Sequence, residues 1–471
     1  MSRLRAPTVD GDVLAIPDFD AIPALVAENR RRLSRDDVKV GGMSLRELRT
    51  LSRGEVLKLT GGQSDGPLLL AGHQPELTHP GVWVKNFALN GLAKKLGGIP
   101  LNLIVDNDTL KSTSLRFPVI SEKGKHAHLE SVAFDTLTGE VPYEDRSVID
   151  GVFFDSFAER AAPLWANWGY EPLLATAWHA AAHSHPSATI GERFTAVRCE
   201  YERRWGCANL ELSVSRLSRT EGFALFAQHI HLDLPRFRKV YNAAIQTYRD
   251  NNGIYSKNHP APELAEGEAP FWVRTTNGRR ERATGTSRDL RPRALTLTLF
   301  ARVCLGDFFI HGIGGGKYDE VTDDIIRGFF GIEPPAYQVL SATLHLPLPT
   351  FPSTPQDLKR AERRVRDQHW NPQRHLPPDA TSELLIRKAA LIETEPPIAD
   401  HEARKTWYRR LQRVTEELRG GLAGQVPAAE RELARIREEV AANEVLLRRD
   451  YSWVLYPEET LRPFLQRFLV V

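Results

Sequence analysis

Cysteine is scarce in this 471-residue chain. Cys199, Cys207 and Cys304 are too few for a disulfide framework, and their spacing fits no zinc knuckle. A reducing, cytoplasmic setting is the default expectation. Cys304 lies in the apolar run LFARVCLGDFFI and reads as a buried small hydrophobe rather than a nucleophile. An excess of either charge is also missing, and a net charge of +2 argues against a dominant nucleic-acid footprint. No apolar run is long enough to span a bilayer, so no membrane partner is expected. The opening MSRLRAPTVDGD lacks the apolar core of a secretory signal. What remains, 41% hydrophobic and 26% charged residues, suits a globular protein long enough for more than one domain.

The stretch from Pro67 to Asn86, PLLLAGHQPELTHPGVWVKN, carries the most information. The apolar run Leu68–Ala71 reads as a buried strand, followed by a turn with Gly72, Pro75 and two histidines, His73 and His79. Pro80 and Gly81 then open a helix, since proline is favoured where no amide donor is needed. Strand, glycine turn and helix start together make an anion site, because free amides and the helix dipole converge there. The helix is expected over Gly81–Leu96, stopped by Gly97-Gly98. A second strand over Pro100–Val105 ends in Asp106, Asn107 and Asp108. Two buried strands joined by one helix imply a parallel crossover.

Five regions are expected along the chain. Residues 1–64 are a helical lead-in containing the helix Ile22–Leu33, and 65–120 are the first half of a Rossmann-like α/β core. Residues 121–285 read as a mostly helical insertion lidding the sheet, with helices at 171–184, 188–204, 219–230 and 235–250. A strand pattern returns at Phe271–Arg274. The second half of the core, 286–350, has a strand at Phe308–Ile310 and a glycine loop, Gly312–Gly316, that ends in Lys317 and leads into a helix at Val321–Phe330. In 351–471, Trp407, Leu411, Val414, Leu418 and Leu422 keep heptad-like spacing, as do Ala429, Leu433, Ile436, Val440 and Leu447. Two such helices predict an antiparallel hairpin with a coiled-coil seam, within the chain or between two subunits.

In an open parallel sheet, ligands bind beyond the carboxyl ends of the strands, where the strand order switches. Loops carrying His73, Gln74 and His79, then Asp106 and Asp108, then Lys317 and Asp319, would converge there. Lys317 suits a developing anionic charge, and the histidines suit proton transfer or hydrogen bonding to an oxyanion. Asp106 and Asp108 suit a substrate amine or a metal. Arg291, ahead of Arg293 in LRPRALTLTLF, offers a fork for carboxylate or phosphate. GIGGGK matches neither the P-loop spacing nor the dinucleotide fingerprint. His179, His183 and His185 lack the glutamate of a zinc-protease motif, and no metal site is expected.

In their order along the chain, these elements resemble the cysteine-adding enzyme of bacillithiol biosynthesis. The matching residues are Gly72, His73, Gln74 and Gly81 in the first loop, and Val105–Asp108 at the acidic strand end. Arg291-Pro292, the glycine run with Gly314, Gly315 and Gly316, and the closing YSWVLYPEE complete the match. The HPGV turn at His79–Val82 is similar to the HIGH signature of nucleotidyltransferases, with Val82 in place of the last histidine. The resemblance implies a HIGH-type Rossmann-like core, a helical insertion and a C-terminal coiled-coil arm that makes a homodimer. It further implies joining of cysteine to an amino-sugar glycoside, in a site able to bind a nucleotide; ATP with magnesium is the simplest activator of a carboxylate. Catalytic roles then fall to His73, His79, Lys317 and Asp106. Binding roles fall to Gly72, Gln74, Gly81, Asn107, Asp108, Arg291, Gly314–Gly316 and Asp319. The rival readings are a nucleotidyltransferase or ligase acting on another small metabolite, and a coiled-coil scaffold whose sheet senses a ligand.

Overall fold

The structure, a computed structural model, describes residues 4–121, 126–185, 187–275, 278–285, 289–377 and 382–471. Two compact units are formed. One comprises residues 1–117, 131–347 and 449–471; the other comprises 118–130 and 348–448.

The larger unit is built on a six-stranded sheet. Its strands, in chain order, are β1 (Val13–Ile16), β2 (Leu68–His73), β3 (Ile99–Ile104), β4 (Leu210–Ser213), β5 (Phe308–His311) and β6 (Gln338–Ala342). They lie in the order β1-β6-β5-β2-β3-β4, and all neighbours are parallel except β1, which runs antiparallel along β6. The chain starts this parallel core in the middle, at β2, steps outward through β3 to β4, then returns to the other side of β2 for β5 and β6. That is a doubly wound α/β sheet, whose switch point lies between β2 and β5. Strand β2 is buried from Leu68 to Ala71, and β5 and β6 are buried throughout, as two-sided cover by helices requires.

Helices α1 (Ile22–Leu33), α2 (Leu45–Thr60) and α3 (Pro80–Leu96) follow local signals. A reciprocal Ser44/Glu47 capping box starts α2, and Gly61 ends it at φ 72°. α3 starts on Pro80, is stopped by Gly97 in the left-handed region, and is buried without a break from Gly81 to Ala93 apart from Val82. It is clamped between the sheet and the C-terminal segment: Trp83 lies 4.6 Å from Trp453 by ring centroids, and the Trp453 amide donates to Thr78 O at 2.8 Å.

Two expectations about this unit are corrected. The run Gly312–Gly316 is not a loop. It is the first turn of α4 (Ile313–Ile325), which continues in a wider turn to Phe330. These glycines allow close approach rather than a turn. A Cβ on Gly316 would stand 2.3 Å from a methyl of Val339, and one on Gly315 2.8 Å from His311 Nδ1. The segment 121–285 also does more than cover the sheet. Its helices Leu174–Ala182, Ile190–Arg204, Glu221–Leu232 and Leu234–Asn252 form as expected. However, it supplies the edge strand β4, and Glu268–Arg274 with Arg280–Thr284 and Leu290–Pro292 make a separate antiparallel sheet.

The smaller unit holds α5 (Pro355–Trp370), α6 (Ser382–Glu393), α7 (His401–Gly420) and α8 (Gln425–Leu446). The helices α7 and α8 form where the heptad spacing places them, but each packs chiefly on another partner, α7 on α6 and α8 on α5. The Trp407 indole donates to Leu391 O at 2.6 Å, fastening α7 to α6. Hydrophobic burial sets no direction, so an apolar stripe specifies burial without naming its partner. Residues 449–471 leave this unit and rejoin the sheet. Among the described residues, no helix is long and apolar enough to cross a membrane.

Candidate functional site

All five parallel strands end at the same edge, which brings the β2, β3 and β5 loops together. β2 stops at Gly72-His73, and the next residues turn sharply into α3. The turn is rich in cationic and imidazole groups. Lys85, one turn into α3 and only 3% exposed, donates to Gly72 O at 2.9 Å, and no carboxylate pairs with it among the described residues. Burial pushes its ammonium down from 10.5 to about 8. The His73 ring is held by Nδ1 against Gln74 O at 3.0 Å. Burial, with help from Lys85, lowers it to about 3. His79 is the N-cap of α3; burial and then Arg449 lower it to about 4, and its Nδ1 is buried without a partner. Both imidazoles are therefore neutral near pH 7, able to donate one hydrogen bond and accept another.

Gly81 permits a crowded junction. A Cβ there would lie 2.2 Å from Ala342 O and 2.4 Å from an Arg449 nitrogen. Arg449 donates to Ser341 Oγ at 2.8 Å and Ala342 O at 2.9 Å, while its Nε is buried without a partner. A guanidinium, a buried ammonium and two imidazoles thus surround the positive end of α3, an arrangement that favours an anion.

The acidic end of β3 divides its labour. Asp106 accepts from both the Ser215 amide and hydroxyl, anchoring the chain after β4. Burial raises its carboxyl despite these bonds. Asn107 donates to Pro292 O at 2.8 Å. Asp108 accepts from Gln74 at 2.9 Å and lies 3.1 Å from an Arg280 nitrogen. Burial would raise it, but Gln74 and Arg280 prevail and hold it low.

Gln74, Asn107, Asp108, Gly315 and Asp319 share the wall of one cavity of about 310 Å³. Tyr241, Trp272, Arg280, Arg293, Leu295 and Leu297 complete its most distinctive surfaces. Both arginines stack on Trp272, at 4.7 Å for Arg280 and 4.4 Å for Arg293. A neighbouring recess of about 420 Å³ is lined by Asp106, Glu144, Glu211, Ser215, Arg216 and Arg274 among others.

Other expected residues lie elsewhere. Lys317 is exposed on α4 and lines neither recess, as Gly314 does not. Residues two positions apart on a helix stand about 200° apart around the axis, so Lys317 points away when Asp319 points in. Asp319 is buried, 2.6 Å from His311 Nε2 and 2.9 Å from an Arg302 nitrogen, and these two hold its carboxyl low against the effect of burial. Arg291 spends its fork on Glu144 and Asp289, so its neighbour Arg293 is the arginine on the cavity wall. Arg280 and Trp272 come from the small antiparallel sheet, and Arg293 follows its last strand as the N-cap of the helix Ala294–Leu299. Of these only Arg293 stands beside a sequence signal, the RPR triplet; nothing local marks Lys85, Trp272 or Arg280.

One acidic group with metal-like spacing exists among the described residues: Cys199, Glu202 and Glu211. Its donors are already engaged. Arg198 bonds both carboxylates at 2.7 Å, Trp83 and Asn86 donate to Glu202, and burial pushes the Cys199 thiol up to about 12. A protonated thiol beside a guanidinium does not suit a cation.

No protein-family model matches the chain, and no curated protein matches it. Among solved structures, a tyrosyl-tRNA synthetase from Archaeoglobus fulgidus, determined with L-tyrosine, is similar at 12% identity and a TM-score of 0.25, over 89% of this chain and 99% of that one. A likeness at that level carries no weight for function, and the site stands on its own geometry.

Proposed function

We propose that the chain is an ATP-dependent ligase or nucleotidyl-transferring enzyme that joins an activated carboxylate to an amine on a small polar metabolite. One observation carries this reading: at the switch point of a doubly wound sheet, an anion-favouring turn with an uncompensated buried ammonium adjoins a cavity with mixed polar and apolar walls. The finer reading follows the sequence resemblance: the amino acid is cysteine and the acceptor an amino-sugar glycoside, as in bacillithiol-type thiol synthesis.

ATP, when bound with magnesium, supplies the activating group. The cations and amides of the turn suit its phosphates. Lys85, Arg449 and the α3 amides would hold negative charge, His79 would donate a hydrogen bond to a developing oxyanion, and neutral His73 would accept a hydrogen bond from the attacking amine, whose proton leaves with the phosphate or nucleotide as the carbon–oxygen bond to it breaks and the carbon–nitrogen bond forms. Asp108, kept ionised by Gln74 and Arg280, orients that amine. Asp106 holds the chain after β4 in place. The helical unit is proposed as a homodimer contact, in keeping with the exposed Ile386, Ile392 and Ile398 on and beyond α6.

The test is product formation from labelled carboxylate and amine donors with magnesium and ATP. His79→Ala and Lys85→Met are expected to lower the rate by about 10²-fold or more, the range of a lost charge-stabilising or proton-transferring group. Unchanged product formation in both variants would remove the reading.

A further inference from the structure

A separate cavity of about 410 Å³ lies at the other edge of the sheet, beside the amino ends of β2 and β5. The last turn of α1, one face of α2, the turn at Ser64-Asp65 and Asp307 wall it. Helical spacing puts Arg46, Arg49 and Arg53 on that face of α2. With Arg30 of α1, four guanidiniums line the cavity against two carboxylates, Asp65 and Asp307. Asp307 is already fully engaged. One of its oxygens accepts from Arg49 at 2.7 Å, and the other from Arg53 at 2.6 Å and the Leu68 amide at 2.8 Å. A single negative charge is thus divided between two guanidiniums, and Arg49 is buried. Burial, with Arg53 adding to it, holds Arg49 below its ordinary range even with Asp307 beside it.

The other two arginines have donors to spare. Arg30 is exposed, and its guanidinium has no partner among the described residues. Arg46, also exposed, reaches Asp36 at 3.0 Å and Ser34 O at 3.3 Å through one nitrogen. Asp65 pairs with none of the four among the described residues. Cations approaching from two helices suit a tetrahedral phosphate, whose three acceptor oxygens point in different directions, better than a carboxylate with two oxygens in one plane. The volume exceeds that of a bare ion, and Ser34, Ser64, Leu33 and Leu57 offer hydroxyl and apolar surface for the rest of a ligand.

We infer that this cavity binds a phosphorylated small molecule, its phosphate held between Arg30 of α1 and Arg46 and Arg53 of α2. Leu68 opens β2 and His73 closes it, about 17 Å away at the rise of an extended strand. A ligand here is therefore an effector, separate from whatever reacts at the carboxyl edge, and the inference does not depend on the ligase reading.

The test is the melting temperature of the full chain in inorganic phosphate, glycerol 3-phosphate, acetate or chloride at equal ionic strength. Both phosphates are expected to raise it more than acetate and chloride do, because a ligand selective for the folded state stabilises it by mass action. Arg30→Gln and Arg46→Gln change exposed side chains that the fold should tolerate; Arg49 and Arg53 stay in place because Asp307 depends on them. The double variant is expected to bind glycerol 3-phosphate at least about tenfold more weakly in equilibrium dialysis, the loss of charge-assisted hydrogen bonds, and Lys85→Met to bind it as the wild type does. Equal shifts in all four salts, acetate as effective as the phosphates, or unchanged binding in the double variant overturns the inference. Binding lost only in Lys85→Met also overturns it, by moving the phosphate to the β2–α3 turn, and leaves the ligase reading standing. Binding lost only in the double variant sustains it, whatever the product assay gives.

Discussion

Replacing Lys85 by methionine should make the protein more stable while removing its proposed activity. Among the described residues the ammonium is buried with a single hydrogen bond, to Gly72 O, and no carboxylate partner. Its pKa falls from 10.5 to about 8. At 1.36 kcal/mol for each pH unit, a charged Lys85 costs the fold about 3 kcal/mol. The sign follows from proton counting. Below pH 8 the lysine is protonated in both states and the whole cost is present. From about 8 to 10.5 the unfolded chain binds more protons, so stability rises with pH and the cost fades. Methionine keeps most of the stem volume and removes the charge, at the loss of one hydrogen bond worth about 1 kcal/mol. The expected net gain at pH 7 is about 1–2 kcal/mol, shrinking towards zero or below at pH 10.5. Denaturant midpoints followed by tryptophan emission suit the measurement, because Trp83, Trp205 and Trp453 form one cluster with α3. A variant less stable than wild type at pH 7, or a difference that does not change between pH 8 and 10.5, would refute the reasoning. It would mean that the ammonium is already compensated in the folded chain.

Other perturbations test the frame around the site. Gly81→Ala places a methyl against Ala342 O and Arg449, and should cost about 1–3 kcal/mol as overpacking, read as a lowered denaturant midpoint. Asp307 accepts from Arg49, Arg53 and the Leu68 amide at the opposite edge of the sheet; Asp307→Asn strands a buried Arg49 and should cost about 3–5 kcal/mol in the same assay. Asp319 is held below its ordinary 3.8, so its stabilisation is present above that pH and disappears in stronger acid; Asp319→Asn should be less stable at pH 7 and show a flatter acid limb in a pH series of melting temperatures. Prolonged dialysis against a chelator should leave the melting temperature unchanged, because Arg198 already neutralises the Cys199–Glu202–Glu211 group.

Sequence alone determined the elements whose signals are local. The apolar run after Pro67 gave the central strand β2, proline and glycine bounded α3, and the helix expected at Ile22–Leu33 matches α1 residue for residue. A buried strand, crossover helix and second buried strand were enough to imply a parallel sheet, and from it the edge where Gln74, Asn107, Asp108, Gly315 and Asp319 meet. Tertiary structure decided the rest. Strands β1, β4 and β6 are four or five residues long and are strands because a neighbour supplies the missing half of their hydrogen bonds. The glycines before Lys317 look like breakers along the chain; the closeness of Val339 and His311 makes them helix packing. Lys85 matters only because folding buries a charge without its complement, and desolvation of that kind depends on what the rest of the chain places around a residue, which no local pattern records.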